Sequence, residues 1–232
     1  MIGLGTAINI GLIIAGSLCG LAFGRFMKEN LKQTLMMVSG IIVLLLGMSG
    51  AMQYMLVIVN GTLQTTGTML MIISMVAGAV IGELIDLNRW ITVFGDWVKA
   101  KTGNTGDPQF THAFITASLT FTVGAMGVLG SIQDGLTGNY QTLLLKGILD
   151  GIIVMVMVSS MGKGALFSFI PVGITQWIIT AMAHIAAPLM TPSAIDNLSY
   201  VGSILIFCVG IDLIWPGKIR IANLLPAIFV AM

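Results

Sequence analysis

GAMGVLGSIQDGLTGNYQTLLLKGILDG, residues 124–151, holds the most improbable residues of a very apolar chain. Asp134 closes one hydrophobic run, and Lys146 and Asp150 lie inside the next. Residues four apart share one face of a helix, so Lys146 and Asp150 stand on a common stripe. A charge inside an apolar span is costly and calls for a partner, a wet cavity or a task. The meaning of this stretch therefore turns on whether the runs around it cross a membrane.

Composition says that they do. The 232 residues are 56% hydrophobic and 8% charged, with a mean hydropathy of +1.01. A soluble domain carries about 25% charged residues, and so little polar matter cannot cover a soluble surface. The expected fold class is an all-α, polytopic integral membrane protein with the lipid bilayer as its partner. It forms a single membrane domain over residues 1–232, with a turn-rich break at 102–109 between an N-terminal part, 1–101, and a C-terminal part, 110–232. The net charge of +1 says nothing about partners, but no basic run of the kind that binds nucleic acid is present, so no nucleic-acid partner is expected. Cys19 and Cys208 lie in separate apolar runs with no Cys or His beside them, so neither a disulfide nor a metal site is expected, and no cofactor is implied. No Lys or Arg precedes Arg25, so the first run lacks the basic flank of a signal peptide and is expected to stay as a span.

Hydropathy places seven spans at 2–23, 34–59, 67–85, 110–132, 140–161, 165–187 and 198–215, with 60–66 and 188–197 as loops. Pro171 should kink or interrupt the sixth span. The last run, 219–232, contains Asn223 and Pro226 and is short against the roughly 20 residues of a full span. It is expected as a thin or tilted eighth segment, or a re-entrant one. Between 88 and 100, Trp90, Ile91, Phe94, Trp97 and Val98 share one helical face while Arg89, Asp96 and Lys99 lie elsewhere. This pattern fits an amphipathic helix, either flat in the membrane interface or packed on the protein as a connector. Gly16, Gly20 and Gly24, then Gly78 and Gly82, then Gly147 and Gly151 repeat every four residues. Such stripes let helices approach closely, here with a homodimer as one expected use.

Nine of the ten Lys and Arg fall in the loops after the first, third, fifth and seventh spans. By the positive-inside rule those loops are cytoplasmic and the N-terminus is outside. Lys146, in the outer half of the fifth span, is the exception.

Asp150 lies about 15 Å into that span at 1.5 Å per residue, near the middle of a hydrocarbon core about 30 Å thick. One reading makes this a pathway lining, in which Asp150 attracts a cation or exchanges a proton beside Lys146. The other makes it a self-neutralised pair buried at a helix or subunit interface. Gln133 and Asp134 either form the outer mouth of a pathway or solvate the end of a helix. Gln176, five residues after Pro171, either completes a polar site at a freed carbonyl or makes an ordinary interhelical hydrogen bond. Asn9 and Asn223 each interrupt an otherwise apolar segment. Gly124, Gly127 and Gly130 are followed by no Lys-Ser/Thr and make no phosphate loop. No catalytic set forms around His112 and His184, the only histidines, so an enzyme is not expected.

The central stretch, with SSMGKGALFSFIPV at 159–172 and GKIRIANLLPA at 217–227, resembles domain-of-unknown-function family 554, the YqgA/YdfK-type bacterial inner-membrane proteins. The resemblance covers essentially the whole chain and rests on the G-SIQDGL and K-x-x-LDG combination. It implies a polytopic inner-membrane protein of unestablished function, often labelled a transport protein. Its motif positions fall here on Gln133, Asp134, Lys146, Asp150 and Asn223. One departure is Gln176-Trp177, where the family pattern has Gln followed by Gly. The function expected is a secondary transporter or channel for a small solute or ion. The alternative is a non-transporting scaffold or accessory subunit in which Lys146–Asp150 is structural.

Overall fold

Apolar runs of about 20 residues can satisfy their backbone groups in lipid only as helices, and helices dominate the computed structural model. It describes residues 1–24, 26–122, 125–186, 188 and 191–232. Arg25, Gly124 and Ala187, which figure in the charge count, the central stretch and the end of the sixth expected span, lie outside the described residues. The helices are α1 (Leu4–Gly24), α2 (Glu29–Met55), α3 (Thr68–Ile85), α4 (Leu87–Lys101), α5 (Phe110–Thr122), α6 (Ala125–Thr137) and α7 (Gln141–Met161). They continue with α8 (Phe169–Ala181), α9 (Ala183–Ala186), α10 (Pro192–Ile214), α11 (Ile221–Leu224) and α12 (Pro226–Ala231). Among the described residues six helical stretches are long and apolar enough to cross a membrane, and α5 with α6 makes a seventh if that pair is one span. The chain is a multi-pass helical membrane protein.

The structure departs locally from the sequence reading at four places. Residues 56–66 are not helix end plus loop: Leu56–Val59 pairs antiparallel with Thr62–Thr65 as β1 and β2. The turn residues Asn60 and Gly61 both take positive φ, 52° and 76°, the conformation of the tight hairpin turn that Asn-Gly favours. The fourth expected span is two helices, α5 and α6, inclined by 60°. In the sixth span the break precedes Pro171. Lys163–Ser168 is a 3-10 turn, and Pro171 sits in the first turn of α8, where its missing N–H removes no helical hydrogen bond. The last long helix begins at Pro192 rather than near 198, because Thr191 accepts a hydrogen bond from the Ala194 N–H at 3.1 Å and Pro192 occupies the first helical position.

Glycine contacts define the bundle. Gly16, Gly20 and Gly24 of α1 lie against Gly151, Met155 and Ser159 of α7, so the two helices run parallel. A side chain on Gly16 would run into the Gly151 carbonyl, and Gly147 leaves room for Asn9 and Leu12. Gly40, Gly47 and Gly50 of α2 pack antiparallel against α10. Gly78 and Gly82 of α3 face Ala227 and Asn223, so α11 and α12 run back along α3. These stripes are occupied by helices of the same chain. The order of contacts puts the ends of α1, α3, α7 and α10 together with the starts of α2, α5 and α8. The described Lys and Arg residues other than Lys146 belong to segments at this basic end. There α4 packs Phe94 and Val98 on Phe110 and Phe114 of α5, while Trp90, Val93 and Trp97 are exposed. The helix is thus packed on the protein through Phe94 and Val98 and turns both tryptophans outward.

Candidate functional site

The site is assembled from α7 outward. Lys146 and Asp150, one turn apart, are each 7% exposed, and Lys146 Nζ donates to Asp150 Oδ2. Gly127, near the start of α6, makes space for the Lys146 chain: a methyl group there would lie 3.3 Å from Lys146 Cε and 3.9 Å from Gln176 Nε2. Gln176 of α8 therefore stands beside the ion pair, buried, with neither amide atom hydrogen-bonded. Asn9 of α1 turns its amide toward the Asp150 carboxyl group. It is fully buried, and neither of its polar atoms reaches a partner at good geometry. Helices α1, α6, α7 and α8 thus bring four of the seven polar candidates together.

A cleft of about 310 Å³ opens beside the pair. Val43, Gly50, Gln53 and Tyr54 of α2, Thr120 and Phe121 of α5, and Ser199 and Ser203 of α10 complete its wall. Its lining runs along α2 from Val43 to Tyr54, so the cleft extends toward the end of the bundle opposite the basic one. Leu46, Met126 and Leu149 on its rim are exposed apolar residues. An ion pair meeting a cavity can be hydrated, exchange its partner or bind a small polar solute, whereas a pair sealed in packing can do none of these.

The remaining candidates lie elsewhere. Asp134 is wholly buried, and its Oδ2 accepts from the Gly5 N–H at 3.0 Å and the Thr6 N–H at 3.4 Å. It closes the first turn of α1 from another helix, where the helix dipole favours a negative charge. Gln133 is exposed and accepts from the Thr142 hydroxyl at 2.7 Å, clipping α6 to α7. Asn223 accepts from the Asn88 N–H at 2.6 Å and caps the first turn of α4, remote in the packing from the Lys146–Asp150 pair. Trp177 leans on Gly3 and does not line the cleft. Polar residues with weak sequence signals also contribute. The hydroxyls of Thr6 and Thr180 lie 3.4 Å apart between Asp134 and Gln176. At the basic end His112 Nε2 lies 3.3 Å from Asp212 Oδ2. Asp212 stands at the end of an apolar run, where a charge reads as the flank of a span, so only packing identifies it as buried.

Over 227 residues the chain is 27% identical to the "uncharacterized membrane protein YdfK" of Bacillus subtilis (strain 168), covering 97% of this chain and 93% of that protein. It is 24% identical over 237 residues to the "uncharacterized protein YqgA" of Escherichia coli (strain K12), covering 99% and 94%. No solved structure matches the chain. The family of proteins of unknown function DUF554 matches residues 4–232, and this membrane protein belongs to it.

Proposed function

We propose that the chain is a membrane transport protein, a secondary transporter or channel for a small solute or ion, whose route passes Lys146 and Asp150. The observation that carries this reading is the 310 Å³ cleft at a buried ion pair. Two buried amides, Asn9 and Gln176, stand by the pair with unused donors and acceptors. Buried polar groups without partners are rare and costly, and the amides of Asn9 and Gln176 supply four of the nine such atoms among the described residues. A break between helices at the same depth, α5 to α6, is a feature that transport sites in membrane bundles share. The location that goes with this reading is a bacterial inner membrane, N-terminus outside, with the basic end in the cytoplasm.

The test is proton and alkali-cation flux in proteoliposomes, comparing the native chain with Asp150→Asn and Lys146→Ala at equal insertion and folding. Flux should fall in both. Unchanged flux in both removes the assigned role.

One observation favours a second reading, a scaffold or accessory subunit. The pair neutralises itself within a single helix, as a purely structural pair would. The exposed Leu46 and Leu149 on the cleft rim would then belong to a contact with a second copy or another membrane protein. In that case a variant with both charges replaced by apolar groups keeps its assembly and its role.

A further inference from the structure

We infer that the chain holds a second chamber of the same route, at the basic end, separated from the Lys146–Asp150 cleft by a thin apolar partition. The inference rests on the transport reading and adds to it a second polar station and the barrier between the two. The second cavity has a volume of about 360 Å³ and lies among α4, α5, α10 and the segment leading into α11. Its polar centre is the His112–Asp212 pair. Asp212 is 6% exposed, and its other oxygen accepts from the Gly217 N–H at 2.8 Å. The His112 side chain is 39% exposed, so one member of the pair is open to water.

The same two helices wall both cavities. On α5, Leu119 faces the second cavity and the next residue, Thr120, faces the first. On α10, Ile206 faces the first and Asp212 the second. Six residues of helix span about 9 Å, against a hydrocarbon core about 30 Å thick. Leu119, Phe121 and Val209 fill the interval, each at most 5% exposed, within one apolar cluster. Two cavities that face opposite ends, each holding a pair of ionisable side chains in a mostly apolar wall, and that nearly meet across one apolar layer are the arrangement of an occluded route.

Charge indicates what the second chamber admits. Arg220 on its wall is paired with Glu83 at 3.2 Å. Among the described residues of its lining Asp212 is the one carboxylate, which favours a small cation over an anion.

The test places single cysteines in a background carrying Cys19→Ala and Cys208→Ala. Ile115→Cys reports the second cavity and Thr120→Cys the first, about 7.5 Å apart on one helix. Reconstituted vesicles of each orientation are treated with a cationic and an anionic membrane-impermeant methanethiosulfonate. Ile115→Cys should react from the face bearing Lys99 and Lys101, and Thr120→Cys from the other, each at least roughly tenfold faster than from its wrong side. At Ile115→Cys the cationic reagent should outpace the anionic one by about tenfold, the lower end of electrostatic focusing. Phe121→Ala should make Thr120→Cys reactive from both faces, while Ile13→Ala, equally buried in the same cluster, should leave sidedness unchanged. Reaction of both cysteines from one face, or of neither from any face, overturns the inference. Sided labelling without any flux in proteoliposomes would keep the two chambers and remove the transport reading, so the two failures are distinguishable.

Discussion

Replacing the charges of Lys146 and Asp150 singly and together separates what the pair does for stability from what it does for function. Lys146→Met strands a carboxylate that is 7% exposed, with Asn9 as its remaining polar neighbour. Two unit charges 4 Å apart at an effective dielectric of about 20 attract by about 4 kcal/mol, and breaking one side of a buried pair costs about 3–5 kcal/mol. The cleft admits some solvation, so the lower figure, about 3 kcal/mol, is expected for Lys146→Met. Asp150→Leu strands an ammonium group, but the lysine chain is flexible and Gln176 offers an unused acceptor beside it. Its cost should be about 2 kcal/mol, in the range for one lost charged hydrogen bond.

With both replaced, no charge is left buried, and the 310 Å³ cleft has room for the added methyl groups. The double variant should lie within about 1 kcal/mol of the native chain, as apolar replacements of buried pairs often do. The cycle thus gives a coupling energy of about 4–6 kcal/mol. It is read by reversible unfolding of all four chains in the same mixed micelles. A coupling within about 0.5 kcal/mol of zero refutes the pairing and the burial argument with it. The double variant then decides between the two functions. A transport route needs its charges and loses flux at native stability, whereas a scaffold keeps its role.

Further outcomes follow from single contacts. Gly82→Ala drives a methyl group into the Asn223 carbonyl; α3 and α11 should part at a cost of about 1–3 kcal/mol, read as lost crosslinking between cysteines placed at Met75 and Ile228, which pack on one apolar cluster. Asp134→Ala should cost about 1–2 kcal/mol by uncapping α1, with faster hydrogen exchange at Gly5 and Thr6, and Asp134→Asn should recover part of it through its amide oxygen. Normal protection at those amides in the Ala variant would count against the cap. Gly61→Val forces a branched side chain into the left-handed turn at φ 76°; protease cutting at residues 56–65 should rise several-fold while the bundle's thermal midpoint stays within about 2 °C, because the hairpin is exposed and marginal by itself.

The spans were legible because hydropathy needs no tertiary information: an apolar run of about 20 residues has one solution in lipid. The hairpin was not, since Leu56–Val59 continues the apolar run of α2 and only Asn60-Gly61 marks the turn. The 60° inclination of α5 and α6 was not legible either, since the run holds no proline. In the site, Lys146 and Asp150 were legible from spacing and depth. That Asn9 and Gln176 converge on them was not, because it depends on how α1 and α8 rotate against α7, and an isolated polar residue in an apolar span has many uses.

The buried polar residues sort themselves by what they satisfy. Asp134 and Asn223 both end up on backbone N–H groups in the first turns of other helices, α1 and α4. In a medium without water those four-residue ends have few other partners, so one oxygen of Asp134 and the amide oxygen of Asn223 are put to use by the fold, while Asp134 Oδ1 and Asn223 Nδ2 stay unpaired. The same accounting fails for Asn9 and Gln176. Neither meets a backbone group, their four amide atoms are unused, and both lie at Lys146–Asp150. If stability were the sole constraint, replacing them by leucine or methionine would remove the cost of burying unpaired amides. Asn9→Leu, hemmed by Gly147, tests space as well as polarity, but Gln176→Met keeps the shape. Gln176→Met should therefore hold or raise the unfolding midpoint while reducing flux. If flux is unchanged, Gln176 plays no part in the route, and the cluster narrows to α1 and α7.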